Sequence, residues 1–322
     1  MERIGWIDFL RGAAMILILV FHTEAYYKEY DVTPYYVYTT NAIILFYFIS
    51  GFLFFFNKGI NLKKRIKSIV NRLLIPYFVF TSLIAFPKTF VRHDSFNWQE
   101  SMLQILGGRA SWFIAALIVA EMLFSVMLLI SRGKHRWLST AAVGCLITYY
   151  LIPFNQHNYW QWQDALLAVV FLYSGYIFHQ YKEFFNTINK PLYTSLLFIL
   201  LTIIKVYEYQ VDWPMRNIAI ENVPLFLADS IVWLLLVVSI IKYIPHVRMI
   251  EWTGQHCIIY YFLCGGCPFI ISTLLNNIGL TYDGYFYRFL MAFMLSYALA
   301  TVFTKAIYKL HFLLRRRVNA GT

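Results

Sequence analysis

Ten stretches of roughly 20 mainly apolar residues succeed one another along this chain, and that repetition limits its folds more than any motif does. They fall at roughly 9–28, 41–57, 69–87, 111–131, 138–154, 160–180, 191–209, 224–244, 254–275 and 285–308. A helix of that length crosses a hydrocarbon core of about 30 Å. In lipid each segment must satisfy its own backbone hydrogen bonds, which helices do. Composition agrees: 60% of the 322 residues are apolar or aromatic and 13% are charged, against about 25% charged in a soluble domain. A water-soluble globule and a disordered chain are both excluded. The expected fold is all-α, a polytopic membrane protein with about ten transmembrane helices.

Basic residues orient the chain. With the amino terminus inside, 18 of the 27 Lys and Arg fall in inner segments. Six fall outside: Lys28, Lys88, Arg92, Arg109, Arg216 and Arg288. Arg11, Arg72 and Lys205 lie within spans or at their edges. Cytosolic loops carry such an excess, so both termini are expected in the cytosol. The net charge of +11 is accounted for in this way. No basic stripe lies on a foldable polar surface, so nucleic acid is not an expected partner. Arg3, the apolar run 13–21 and Thr23-Glu24-Ala25 outline a signal peptide, but Arg11 and the poor cleavage site favour a retained first span. No linker or low-complexity stretch divides the chain, so one membrane domain over 1–322 is expected, without an appended soluble domain. The aromatic first outer segment, Tyr26 to Tyr38, reads as an interfacial belt. All four cysteines lie in apolar runs, which argues against a disulfide framework. Cys264-Gly265-Gly266-Cys267 has redox spacing but sits inside a span.

Ionisable groups inside spans are costly, so each is a functional candidate. Asp8, Arg11 and His22 belong to the first span. Eleven residues are almost three turns, so Arg11 and His22 project from one face, with Cα atoms ~16 Å apart along the axis. An anion holder then lies below a titratable base, which suits a long phosphorylated donor reaching into the membrane. Histidine, with an ordinary pKa of about 6.5, suits proton transfer near neutrality. Arg65 and Arg72 are seven residues apart and are expected on one helical face, each with a planar fork fitted to phosphate; Lys67 lies between them. Gly51, in Tyr47-Phe48-Ile49-Ser50-Gly51, lets another helix, or a ligand, come close to the backbone, and helix packing is the expected role. Trp112 opens the fourth span and Glu121 lies further in. That carboxylate is free to orient His22, pair with Arg72 or shape a wet cavity.

These blocks resemble the acyltransferase-3 family of bacterial integral-membrane O-acyltransferases. The resemblance rests on Ile7-Asp8-Phe9-Leu10-Arg11-Gly12 leading to His22, an Arg-x10-His arrangement. It rests also on Phe48-Ile49-Ser50-Gly51-Phe52, Arg72-Leu73-Leu74-Ile75-Pro76-Tyr77, Trp112-Phe113-Ile114 and Gly254-Gln255-His256-Cys257-Ile258-Ile259-Tyr260, in order along nearly the whole chain. It implies transfer of an acyl group, commonly acetyl, from cytosolic acyl-CoA to a hydroxyl of a glycan or lipid-linked sugar. His22 would be the catalytic histidine, assisted by Glu121. Arg11 and Arg72, with Arg65 and Lys67, would hold the donor. Tyr47, Ser50 and Trp112 would contact substrate. Many members carry two arginines three residues apart, where this chain has Arg65 and Arg72. Many also carry a histidine shortly after the Gly254–Tyr260 block, where this chain reads Leu263-Cys264-Gly265.

The leading expectation is an acyltransferase of the bacterial inner membrane that O-acetylates a cell-surface polysaccharide. Acetyl-CoA is the expected donor co-substrate and a carbohydrate the acceptor; no metal is needed. Membrane lipids surround the protein, and homo-oligomerisation stays open. A transporter or exporter of a glycan or small anion is the alternative, and a non-catalytic subunit of a polysaccharide-synthesis complex is a third reading.

Overall fold

The structure, a computed structural model, describes residues 4–28, 39–54, 61–91, 97–153, 155, 158–188, 190–211, 222–245 and 247–320. Within these the chain is helical and holds no strand. The first outer segment, 29–38, lies outside the described residues.

Six helices are long and apolar enough to cross a membrane. They are α1 (Gly5–Tyr27), the run Leu62–Ala85, α6 (Trp112–Ser131), most of α10 (Pro191–Val211), α11 (Val223–Ile240) and most of α15 (Phe286–Ala320). The run Leu62–Ala85 contains α3 (Leu62–Ile69), a π turn at Val70–Leu74, and the start of α4 (Ile75–Val91). A broken span adds α13 (Cys257–Leu263) and α14 (Gly266–Asn277), bent by 43° at the intervening Cys264-Gly265. The remaining windows coincide with α2 (Thr39–Phe52), α7 (His135–Leu151) and α8 (Trp162–Gln180). The first two are 14 and 17 residues long, and α8 has polar ends in Gln163, Asp164, His179 and Gln180. Shorter helices are α5 (Trp98–Leu106), α9 (Lys182–Ile188) and α12 (Arg248–Gln255).

Close contacts divide the chain into two compact units, one of residues 1–43 with 240–322, the other of residues 44–239. In the first, α1 packs chiefly on α12 and also on α14 and α15. Two glycines permit this: a Cβ on Gly12 would overlap the Ile250 carbonyl, and one on Gly254 would overlap that of Asp8. Hydroxyls tie α12 and α13 to α15, through Thr253 with Tyr297 at 2.6 Å and Tyr260 with Thr301 at 2.7 Å.

In the second unit α6 is largely enclosed, with Ala115, Ala116, Ala120 and Phe124 at 0% exposure. It packs on α8, α7 and α3. The second unit has its own glycine contact: Gly51 lies against the Leu172 carbonyl and Gly175 against that of Phe48. The occupant of the space at Gly51 is therefore a helix. Small residues allow such approach where lipid gives helices no hydrophobic reason to associate.

Candidate functional site

Arg11 and His22 stand on α1, and the sequence block around Gly254 is pressed against the same helix. Asp8 and Arg11 are half-buried and lie within electrostatic reach of Cys257. The i,i+3 spacing of Asp8 and Arg11 permits an ion pair, yet among the described residues neither makes one.

His22 is half-buried. Its ring meets Phe21 edge-on at 5.2 Å and lies within 17° of parallel to Tyr26 at 6.4 Å. Tyr26 in turn meets Phe269 of α14 edge-on at 5.5 Å. Among the described residues no group hydrogen-bonds the imidazole, so both ring nitrogens are available to a substrate.

A second imidazole in this unit was not singled out from the sequence. His256 Nδ1 donates to the Trp252 carbonyl at 2.8 Å. Its ring lies against Trp252 at 4.4 Å, tilted by 34°, and meets Tyr308 edge-on at 5.0 Å. That hydrogen bond selects the tautomer whose lone pair is on Nε2. The i,i+4 spacing of Trp252 and His256 was the available signal.

In the second unit three helices converge on Glu121. Ser50 of α2 donates to Glu121 Oε1, and Arg65 of α3 approaches Oε2 at 3.5 Å. The guanidinium lies over the Phe54 ring at 3.3 Å. Both charged side chains are shielded, at 13% and 11% exposure. Glu121 pairs with the guanidinium of Arg65, where Arg72 was one expected partner. Arg65 Nε is buried and unpartnered among the described residues, a donor turned away from water without an acceptor.

Arg65 and Arg72 differ in setting. Arg65 is half-buried and Arg72 exposed. The expected undisturbed two-turn spacing is altered by the π turn, in which the Ile75 N–H bonds the Val70 carbonyl. Such a turn takes in an extra residue and rotates the helix beyond it, and it is frequent at functional sites. Arg72 still acts electrostatically on Arg65. Lys67 is exposed on α3.

Of the three expected substrate contacts, two share a neighbour in Phe113 and the third pairs with a carboxylate. Tyr47 is 1% exposed and packs on Phe113 at 5.2 Å. Trp112 is half-buried and meets Phe113 at 6.0 Å. Ser50 is committed to Glu121. The cysteines of Cys264-Gly265-Gly266-Cys267 are free thiols at the bend between α13 and α14.

Several carboxylates near span ends are buried. Lys205 of α10 bridges Asp229 of α11 at 2.8 Å and Glu208 at 3.3 Å. Asp164 is 1% exposed. Their burial depends on neighbouring helices, which local sequence does not reveal.

No curated protein and no solved structure matches this chain. A family model described as an acyltransferase domain matches residues 4–305, running through both units. With helices long and apolar enough to span lipid, that match makes the protein a multi-pass membrane acyltransferase: the chain belongs to the acyltransferase-3 family.

Proposed function

We propose that the protein moves an acyl group, acetyl by preference, from cytosolic acyl-CoA to a hydroxyl of a cell-surface glycan or lipid-linked sugar. The observation that carries this reading is the state of α1, which bears a half-buried arginine and a half-buried histidine with no ion pair or hydrogen bond among the described residues. Unneutralised charge in a span is costly and marks a ligand path.

In this reading ten spans cross a bacterial inner membrane with both termini in the cytosol. They are the six long helices together with α2, α7, α8 and the broken α13–α14 pair. Arg11 then lies near the cytosolic end of α1 and His22 towards the outer end. Arg11 meets an anionic part of the donor. Arg72 and Lys67, exposed on their own unit, recognise phosphate, and Arg65 offers its unpartnered Nε–H. Glu121 is a positioning residue that holds Arg65 in place.

His22 removes the proton from the acceptor hydroxyl as its oxygen attacks the thioester carbonyl. The carbon–sulfur bond breaks, and the departing thiolate recovers the proton from the imidazolium. The products are the sugar ester and free CoA thiol, with no net proton change and no metal.

The test is acyl-CoA-dependent labelling of glycan in membranes carrying wild-type protein or His22→Ala. Transfer is expected to fall at least a hundredfold, within the usual yield of a positioned acid–base group. Wild-type labelling by the variant removes His22 from the mechanism.

A further inference from the structure

In the second unit α6 ends at Ser131, α7 begins at His135 and α8 ends at Gln180, and these ends meet. The His135 ring lies 5.5 Å from that of Tyr181 and 6.3 Å from that of Tyr176. The turn between α6 and α7 is tight and internally bonded. Arg132 and Gly133 have left-handed backbone, at φ +51° and φ +73°. The N–H groups of Arg132, Gly133 and Lys134 donate to the carbonyls of Leu129, Leu128 and Ser131. Left-handed backbone is costly for a side chain other than glycine; here it crowds Arg132, Lys134 and Arg136 into one corner.

That corner is basic and unneutralised. Arg132, Lys134, Arg136 and Lys182, the last at the start of α9, are exposed. Among the described residues none of the four makes an ion pair. Residues 131–137 and 180–190 hold five Lys and Arg against one carboxylate, Glu183. Arg65 and Lys205, by contrast, each meet a carboxylate. Beside these charges Trp137 and Phe184 are 63% and 61% exposed, an aromatic fringe of the kind found where lipid meets water. From Trp137 an exposed stripe follows one face of α7 through Thr140, Gly144, Ile147 and Leu151, at the three- and four-residue steps of a helix. The Thr140 hydroxyl is taken up by the Arg136 carbonyl, which leaves the stripe apolar, and a Cβ on Gly144 would meet nothing within 4 Å. From Trp137 to Ile147 the helix rises ~15 Å, half of a hydrocarbon core of about 30 Å.

We infer that this corner binds an anionic phospholipid, its phosphate held among Arg132, Lys134, Arg136 and Lys182 and one acyl chain laid along the α7 stripe. Each Lys or Arg near a membrane surface strengthens the attraction for anionic headgroups about fivefold. Charge and stripe together select the occupant. A soluble anion such as CoA matches the corner and has nothing for the stripe. A zwitterionic lipid matches the stripe, but its own ammonium offsets its phosphate. The assignment is independent of the acyl-transfer reading.

The test is native mass spectrometry of the full-length protein in detergent, titrated with phosphatidylglycerol or with phosphatidylcholine of the same chains. Phosphatidylglycerol is expected to bind about tenfold more tightly or better. Arg132→Gln, Lys134→Gln and Arg136→Gln combined should bring the two lipids within about twofold of each other. Unchanged phosphatidylcholine binding reports that this variant is folded. Lys182→Gln alone should lower the preference about fivefold. Lys63→Gln, Lys64→Gln and Lys309→Gln combined removes as much exposed charge elsewhere and should keep the preference. Equal affinity of the wild type for both lipids overturns the assignment. So does an equal loss of preference in the two triple variants, a Lys182→Gln variant that binds as wild type, or release of bound phosphatidylglycerol by CoA.

Discussion

Glu121 and Arg65 face each other at 3.5 Å between α6 and α3, and the carboxylate's second oxygen accepts the Ser50 hydroxyl of α2. One side chain thereby links three helices separated along the chain.

Replacing Glu121 by Gln should leave an acceptor for Ser50 but strip Arg65 of its counter-charge. Removing one partner of a buried pair is strongly destabilising, so a loss on the order of 3 kcal/mol is expected. Ser50→Ala should cost less, about 1 kcal/mol, because it removes one hydrogen bond and leaves the ion pair intact. Thermal unfolding of both variants in the same detergent checks the order; equal losses would contradict it.

Arg72 is exposed on the π turn, so its removal should spare the fold. Arg72→Gln is expected to raise KM for acyl-CoA about fivefold or more with kcat nearly unchanged, the signature of lost uniform binding. Wild-type KM should also rise with salt, since exposed charge pairs are screened. The variant should show a shallower salt dependence, read from initial rates at two ionic strengths.

Gly51 and Gly144 should respond oppositely to alanine. A Cβ at Gly51 would run into the Leu172 backbone, whereas one at Gly144 meets nothing within 4 Å. Gly51→Ala should cost about 1–3 kcal/mol through overpacking. Gly144→Ala should not destabilise, as alanine is the better helix former. Unfolding midpoints of the two variants decide it.

Gly108→Ala should loosen the α5–α8 connection. Gly108 has φ +75°, and a Cβ there would lie 2.6 Å from Trp160 Cα. Left-handed backbone costs a non-glycine residue about 1–3 kcal/mol before any clash. Faster amide exchange at Trp160 and Gln161 than in wild type is the expected readout.

Much of the fold was legible in linear order. Each apolar window coincides with a helix or a broken helix, because lipid forces a chain to satisfy its backbone locally. Helical period alone put Arg11 and His22 on one face of α1. The π turn at Val70–Leu74 was not legible: Asn71-Arg72-Leu73 gives no local signal for an i→i+5 bond. His256 was passed over inside its sequence block, although Trp252 stands four residues before it.

What the sequence by itself determined was therefore local: helical segments, and the spacing of Arg11 and His22 along one of them. These depend on the rise and period of one helix and on residue chemistry. Tertiary structure decided which groups meet. Glu121 finds Arg65 in place of Arg72, Lys205 finds Asp229, and Gly107 holds the left-handed turn at Trp160. Each pairing joins residues far apart in the chain, so it is set by how whole helices pack, which no local pattern encodes.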